Sequence, residues 1–154
     1  MTHPDIEQIK EQDLAALAVI VAETELFPPE LVPELAAPAL EGRSDTIWLV
    51  AHLNGQPVGL CFAETEALAD RVWNMRALAV APDRQGGGIG TALVAGLEHL
   101  LSQDGQRMVL VDTSGTEGFA LTRKFYEANG YDVEARIRDY WAQGDDKVIY
   151  RKVL

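Results

Sequence analysis

The first third of the chain combines a strand-like start with two stretches of helical periodicity. Ile6 and Ile9 predict a short strand, and the apolar residues that follow recur at spacings of three and four, which predicts an amphipathic helix over 12–24. Asp13 is the expected N-cap residue of this helix. Prolines interrupt the next stretch and leave room for a short second helix between Pro29 and about Leu40.

Three strands are predicted in the middle of the chain. The apolar run TIWLVAHL starts at Thr46, and the pair Asn54-Gly55 supplies the residues of a tight hairpin turn. PVGLCFAE from Pro57 is the partner strand, and VWNMRALAV from Val72 to Val80 forms a third.

The second half of the chain predicts two helices and three strands. Apolar residues from Ile89 follow a helical period until Asp104-Gly105, and GFALTRKFYEAN forms a second helix that Gly130 closes. The strands are RMVLVDT from Arg107, YDVEARI from Tyr131 and KVIYRKVL from Lys147, the last two joined around Gln143-Gly144. The order βααβββαβαββ predicts one α/β (α+β) domain over 1–154, with a mixed central sheet flanked by helices.

Composition narrows the class of protein. The chain has 154 residues, of which 47% are apolar and 24% charged, and its net charge of −11 argues against a nucleic-acid binder or a membrane attachment. Cys61 is the single cysteine, so intrachain disulfides and multi-cysteine metal sites are excluded, and no metal is expected. The acidic, polar N-terminus does not resemble a targeting peptide, which indicates a cytoplasmic protein.

Much of the negative charge lies in the first quarter of the sequence. Up to Glu41 there are nine carboxylates and one basic residue, Lys10. This concentration fits a solvated helical surface that maintains solubility. It also fits an acidic rim that attracts a cationic substrate.

The most informative segment is the glycine-rich stretch APDRQGGGIGT between Val80 and Ala92. It joins an apolar strand to an amphipathic helix. Several free N–H groups and the positive end of the helix dipole would therefore lie together at the start of the helix. Such a turn suits a phosphate or pyrophosphate. The segment lacks the Lys-Ser/Thr pair of a P-loop and does not fit GxGxxG, which argues against nucleoside triphosphates and dinucleotides.

The run Gln85-Gly86-Gly87-Gly88-Ile89-Gly90 resembles the Q/R-x-x-G-x-G/A signature of the GNAT superfamily of acyl-CoA N-acyltransferases. The segment FYEANGY is similar to the family's F-Y-x-x-x-G-F/Y pattern, and the predicted element order matches that fold over essentially the whole chain. The C-terminal region also resembles that of the N-terminal (ribosomal-protein and peptide) acetyltransferases.

The resemblance implies a coenzyme A site built largely from backbone. The pantetheine arm would pair with the strand, and the pyrophosphate would lie on the amides of the loop, with Arg84 as an additional contact. The implied strand positions are Leu78, Ala79 and Val80, and the loop positions are Gln85, Gly86, Gly87, Gly88, Ile89, Gly90 and Thr91.

Two residues near Gly130 match family positions with roles at the cofactor. Tyr126 aligns with a tyrosine that protonates the leaving thiolate, and Asn129 with an asparagine that touches the cofactor. A neutral phenol is a donor at pH 7 and suits that role. Tyr126 also fits a core aromatic, although helical geometry directs the adjacent Phe125 to a different side.

The general base is not evident from the resemblance. Some members carry a Glu at the position of Asn74, which cannot act as a base, and Arg76 on the same face cannot either. Glu64 and Asp112 are the preferred candidates, and a water relay is an alternative. Glu66 and His52 are further candidates.

The implied reaction is direct transfer of acetyl from acetyl-CoA to a primary amine of a small molecule or peptide, and the acidic N-terminal part favours a cationic acceptor. Cys61 fits a buried apolar residue. Two alternatives stay open, a non-catalytic acyl-CoA sensor and a transferase for longer acyl chains. The resemblance is compatible with a homodimer. Candidate acceptor contacts are Tyr140, Trp141, Asp145 and Asp146.

Overall fold

All seven strands belong to one sheet in the computed structural model, which describes residues 3–154. The strands are β1 (Asp5–Gln8), β2 (Thr46–Leu53), β3 (Gln56–Thr65), β4 (Val72–Val80), β5 (Met108–Ser114), β6 (Asp132–Ala142) and β7 (Asp145–Val153). The helices are α1 (Leu14–Glu23), α2 (Val32–Leu40), α3 (Ile89–Gln103) and α4 (Ala120–Ala128). The predicted order of elements and the mixed α/β fold class are confirmed.

The spatial order of the strands is β1-β2-β3-β4-β5-β7-β6. Neighbouring strands are antiparallel except β4 and β5, which are parallel and are connected through α3. The strand β6 continues five residues beyond the predicted end at Ile137, with an irregular register before Ala142. Within 3–154, no helix is both long and apolar enough to cross a membrane.

Successive side chains of β2 and β3 point to opposite faces of the sheet, so the core has two layers. Leu49 and Cys61 lie in the layer that packs against α3, whereas Trp48 and Phe62 lie in the layer that packs against α1 and α2. Cys61 is fully buried, and burial raises the pKa of its thiol to about 12. It is therefore a small apolar core residue, in agreement with the sequence interpretation.

The strands β4 and β5 pair only over their first halves. Their ladder runs from Val72 opposite Met108 to Met75 opposite Val111 and then ends, while β4 continues to Val80. Where the ladder ends, Arg76 forms a β-bulge, since Met75 and Ala77 have consecutive residues of β3 as partners. A bulge bends its strand, and here it accompanies the separation of β4 from β5. The last residues of β4 thus leave their backbone unpaired on the side of β5.

Asp13 is the N-cap residue of α1, as predicted, but its carboxylate makes no capping hydrogen bond to the helix. Its Oδ1 lies 2.9 Å from His52 Nε2 on β2, and its Oδ2 accepts a hydrogen bond of 2.9 Å from the backbone N–H of Lys10. Asp13 is 3% exposed. Asp13 therefore bonds to His52 on β2 instead of to the first turn of α1. This contact holds the start of α1 against the sheet.

We expect Asp13→Ala to lower the free energy of unfolding by about 2–3 kcal/mol, because it removes the acceptor of two part-buried contacts, from His52 and from the Lys10 N–H. Equilibrium urea denaturation measures the change. The control is Glu11→Ala in the preceding 3₁₀ turn, where the side chain is exposed and the expected change is below about 0.5 kcal/mol. Equal effects of the two substitutions would contradict the assigned role of Asp13.

Candidate functional site

The glycine-rich loop connects β4 to α3 through a short 3₁₀ turn, Pro82–Arg84. Gly86 and Gly88 have φ angles of +82° and +85°, in the left-handed region that favours glycine. A Cβ atom at either position would meet open space, so these glycines are required by backbone conformation and not by packing. The loop side chain of Gln85 donates from Nε2 to the carbonyl of Val80, 3.1 Å away, and ties the loop to the strand end.

The N-terminus of α3 presents free backbone donors. The first intrahelical bond runs from Ala92 N–H to the carbonyl of Gly88, so the N–H groups of Ile89, Gly90 and Thr91 precede the hydrogen-bonded part of the helix. No side chain within residues 3–154 caps this end. These donors and the helix dipole produce partial positive charge without any basic residue, which suits an anionic ligand.

Gly90 is required for a different reason from Gly86 and Gly88. A Cβ atom on it would lie 3.2 Å from the Cε1 and Cζ atoms of Phe125, which is tighter than ordinary packing. The glycine therefore lets α4 approach the first turn of α3. This approach places Tyr126, the next residue of α4, beside the loop.

A cleft of about 540 Å³ lies between β4, the loop and α4, and we call it the first cleft. It contains the predicted strand positions and most predicted loop positions, together with three residues of α4 that sequence reasoning missed. These residues lie one, four and five positions before Tyr126, and this spacing along the helix could have predicted that they line the cleft. The lining residues are Leu78, Ala79, Val80, Arg84, Gln85, Gly86, Gly88, Ile89, Gly90, Thr91, Leu121, Thr122, Phe125 and Tyr126.

Tyr126 is both a core aromatic and a wall of the first cleft. It is 6% exposed, and its ring lies 5.4 Å from that of Phe125, 5.9 Å from Tyr131 and 5.7 Å from Tyr150. Phe125 lines the same cleft, so the expected separation of the two neighbouring aromatics is wrong. Burial, and secondarily the nearby Cys61, raises the pKa of Tyr126, which keeps the phenol protonated and able to donate.

Two predicted cofactor residues lie outside the first cleft. Gly87 is part of the loop but does not line it. Asn129 donates from Nδ2 to the carbonyl of Phe125 at 2.8 Å, so its side chain closes the C-terminal end of α4.

A second cleft, of about 610 Å³, lies on the other face of the sheet, over the paired part of β4 and β5 and up to the place where the two strands separate. Arg76 and Asp112 directly follow Met75 and Val111, the last paired residues, and stand on either side of the opening. The two clefts therefore border the same gap from opposite faces. The second cleft is lined by Glu66, Leu68, Ala69, Val72, Asn74, Arg76, Met108, Leu110, Asp112, Lys147 and Ile149.

The candidate bases all have polar partners. Glu64 lies 3.2 Å from Arg76, and Asp112 lies 3.3 Å from Lys147. Asp112 lines the second cleft beside the gap, whereas Glu64 lines neither cleft. His52 also lines neither cleft and is held by Asp13.

Glu66 has two contacts at the second cleft. Its Oε1 accepts hydrogen bonds from Arg76 at 3.3 Å and from Asn74 at 3.2 Å. This arrangement makes Glu66 a support for its neighbours on β4.

The four predicted acceptor contacts on the last hairpin are largely engaged within the chain. Trp141 Nε1 donates to the carbonyl of Thr113 at 3.2 Å, and Tyr140 stacks under the ammonium group of Lys147. Asp145 accepts a hydrogen bond from Ser114, and Asp146 forms an ion pair of 2.7 Å with Arg136.

The N-terminal carboxylates, from Asp5 to Glu41, line neither cleft. Over residues 3–154, three or more His, Cys, Asp or Glu side chains nowhere converge in an arrangement that could hold a metal ion.

Comparison with known proteins agrees with this geometry. The profile of the acetyltransferase (GNAT) domain family matches residues 44–133, whereas no curated protein sequence matches the chain. A GNAT-family protein from Desulfovibrio desulfuricans superposes with a TM-score of 0.90 at 28% identity, over 97% of this chain and 98% of its own.

Two more distant structures share the fold. The ribosomal-protein-S18-alanine N-acetyltransferase of Escherichia coli has a TM-score of 0.81 at 18% identity, over 97% of this chain and 93% of its own. The PaiA N-acetyltransferase of Thermoplasma acidophilum, solved in complex with coenzyme A, has a TM-score of 0.77 at 16% identity, over 99% and 100% of the two chains.

Proposed function

The chain belongs to the GNAT family of acetyltransferases, and from this premise we propose that it transfers acetyl from acetyl-CoA directly to a primary amine of a small molecule or peptide. In this proposal residues 1–154 form one acetyltransferase domain. The observation that carries the proposal is the gap between β4 and β5, with the unpaired end of β4 lining a cleft suited to coenzyme A on one face and a second cleft reaching the start of the gap on the other. Such a gap lets two substrates meet without passing each other.

The first cleft suits the pyrophosphate and the pantetheine arm of acetyl-CoA, one after the other. The free N–H groups of Ile89, Gly90 and Thr91 suit the pyrophosphate, and Arg84 can add a charge-assisted contact. Beyond the Arg76 bulge, the unpaired backbone of β4 suits the amide-bearing pantetheine arm, which would add to the strand as a further strand does. The PaiA N-acetyltransferase, which was solved in complex with coenzyme A, supports this assignment.

The chemistry we propose uses few side chains. The amine loses a proton to Asp112 and attacks the thioester carbonyl, so that a C–N bond forms and the C–S bond breaks. Backbone N–H groups of Leu78 or Val80 stabilise the oxyanion, and Tyr126 donates its proton to the departing sulfur. As the C–S bond breaks, the new amide nitrogen loses its second proton to solvent, and the phenolate of Tyr126 takes a proton back from solvent. Most of the acceleration comes from holding the two reactants together at the gap.

Asp112 is the proposed base because it stands at the opening of the gap and lines the second cleft, while Glu64 does not. A water relay to solvent is the alternative route for the proton. The acceptor amine is cationic before it loses that proton, and Asp112 is the carboxylate that would receive it.

The test of the proposal is release of the free thiol of coenzyme A from acetyl-CoA in the presence of polyamines, aminoglycosides, amino acids and short peptides. Turnover with one class establishes the enzyme and its acceptor. Binding of acetyl-CoA without turnover on any amine would favour the acyl-CoA sensor. A series of longer acyl-CoA donors separates acetyl transfer from transfer of longer chains, and failure to bind acetyl-CoA would refute the proposal.

Replacement of Gly88 by leucine should abolish binding of acetyl-CoA, because the side chain would project from the loop into the first cleft. The matched control is Gly105→Leu, which has a similar φ of +71° and open space around it but lies at the far end of α3. Both substitutions strain the backbone alike. Calorimetry that gives equal acetyl-CoA affinity for the two variants would contradict the assignment of the loop.

Replacement of Tyr126 by phenylalanine should lower kcat by about ten- to a thousandfold, the usual range for one acid–base group, and leave the affinity for acetyl-CoA unchanged. Tyr150→Phe is the control, since its hydroxyl bonds to Glu127 at 3.4 Å and it does not line the first cleft. Steady-state kinetics measures both. Unchanged kcat in the Tyr126 variant would remove the residue from the mechanism.

Comparison of Asp112→Asn with Glu64→Gln distinguishes the two candidate bases. Asp112→Asn should lower kcat by about a hundredfold or more because the amine then lacks its proton acceptor. Glu64→Gln should retain kcat, as Glu64 lines neither cleft. The opposite ranking of the two variants would assign the role to Glu64, and equal retention would favour the water relay.

A further inference from the structure

Two buried side-chain atoms have no hydrogen-bond partner among the residues described, His52 Nδ1 and Asn74 Oδ1. Asn74 is 4% exposed and lines the second cleft, whereas His52 lines neither cleft. A buried carbonyl oxygen without a partner carries a desolvation cost of about 1–3 kcal/mol. Sites with such a cost are commonly those where the missing partner is a ligand.

The orientation of the Asn74 amide follows from its neighbour. Its nitrogen lies 3.2 Å from Oε1 of Glu66, and an ionised carboxylate only accepts hydrogen bonds. The nitrogen must therefore face Glu66, and the oxygen points the other way. Glu66 is itself held by Arg76, so the amide is fixed by a chain of contacts.

Asn74 is close to the gap where the reaction would occur. It lies opposite Leu110, one position before the final pair of the β4–β5 ladder, Met75 and Val111. With a rise of about 3.3 Å per residue, the amide is within roughly 7 Å of the opening. Asp112, two residues after Leu110, points to the same face of β5.

We propose that Asn74 Oδ1 accepts a hydrogen bond from the acceptor amine and holds it at the gap beside Asp112. This inference rests on the proposed function. A neutral amide oxygen binds an N–H without removing the proton, so the amine keeps its lone pair for the thioester once Asp112 has taken one proton. A primary amine still has two N–H groups at that stage, one of which satisfies Asn74.

The rest of the second cleft indicates what the amine is attached to. Met108, Leu110 and Ile149 form an apolar surface, and the charged groups beside it, Arg76 and Lys147, are already paired with carboxylates. An acceptor whose remaining part is apolar therefore fits this surface better than an acceptor with a second charged group. The acceptor class is thus a primary amine carried on an apolar carbon chain or an apolar peptide N-terminus.

The test uses Asn74→Leu, which keeps the volume and removes the polar atoms. We expect the KM for the best amine of the panel to rise roughly tenfold, as for loss of one hydrogen bond, with the KM for acetyl-CoA unchanged. The Tm should rise by a few degrees, since a costly buried group is removed. Thr113→Val is the control, a buried polar strand residue that lines neither cleft.

Glu66 supplies a second arm of the test as a positioning residue. Glu66→Ala releases the Asn74 amide and should raise the KM for the amine. Glu66→Gln retains an oxygen that accepts the Asn74 hydrogen bond, so the KM for the amine should stay close to the wild-type value. An unchanged amine KM in Asn74→Leu would overturn the inference.

The inference and the proposed function can fail separately. Failure of the proposed function appears in the wild-type protein, as absence of acetyl transfer. In that case, NMR titration of the coenzyme A-saturated protein with n-butylamine still decides the inference. A weaker affinity in Asn74→Leu supports it, and equal affinities in wild type and variant overturn it.

Discussion

The separation of β4 from β5 is the constraint on which the rest of the site depends. Parallel strands joined through a helix normally pair along their shared length, and here the ladder stops after four residue pairs. Beyond the Arg76 bulge, the side chains of β4 point to the opposite faces of the sheet from those that simple alternation would give. Leu78 and Val80 therefore point toward α3 and the first cleft. The bulge thus coincides with an unpaired backbone edge on β4 and with the start of the opening beside it.

Polar groups around that opening are held in pairs. Asp112 is paired with Lys147, and Glu64 and Glu66 share Arg76. Partly buried charges are costly unless they are compensated, and these pairs leave the second cleft with fixed rather than mobile polar groups. Against this background Asn74 Oδ1, which has no partner within residues 3–154, is an exception.

Glycine contributes to the first cleft in two distinct ways. Gly86 and Gly88 adopt a backbone conformation that other residues rarely take, and Gly90 leaves space for Phe125. The first role shapes the donor-rich loop, and the second brings α4 and Tyr126 to its side. A single run of sequence therefore sets both the anion-binding surface and the position of the proposed acid.

The order of elements and the glycine loop were predictable from sequence, because periodicity and left-handed turns are local properties. The lining of the first cleft by Leu121 and Phe125, the side-chain role of Asn129 and the pairing of Asp13 with His52 were decided by tertiary contacts. The proposal of Asp112 over Glu64 as the base likewise rests on which strand borders the gap. Local patterns specify which elements form, whereas the partners of a polar side chain are determined only when distant strands and helices are packed together.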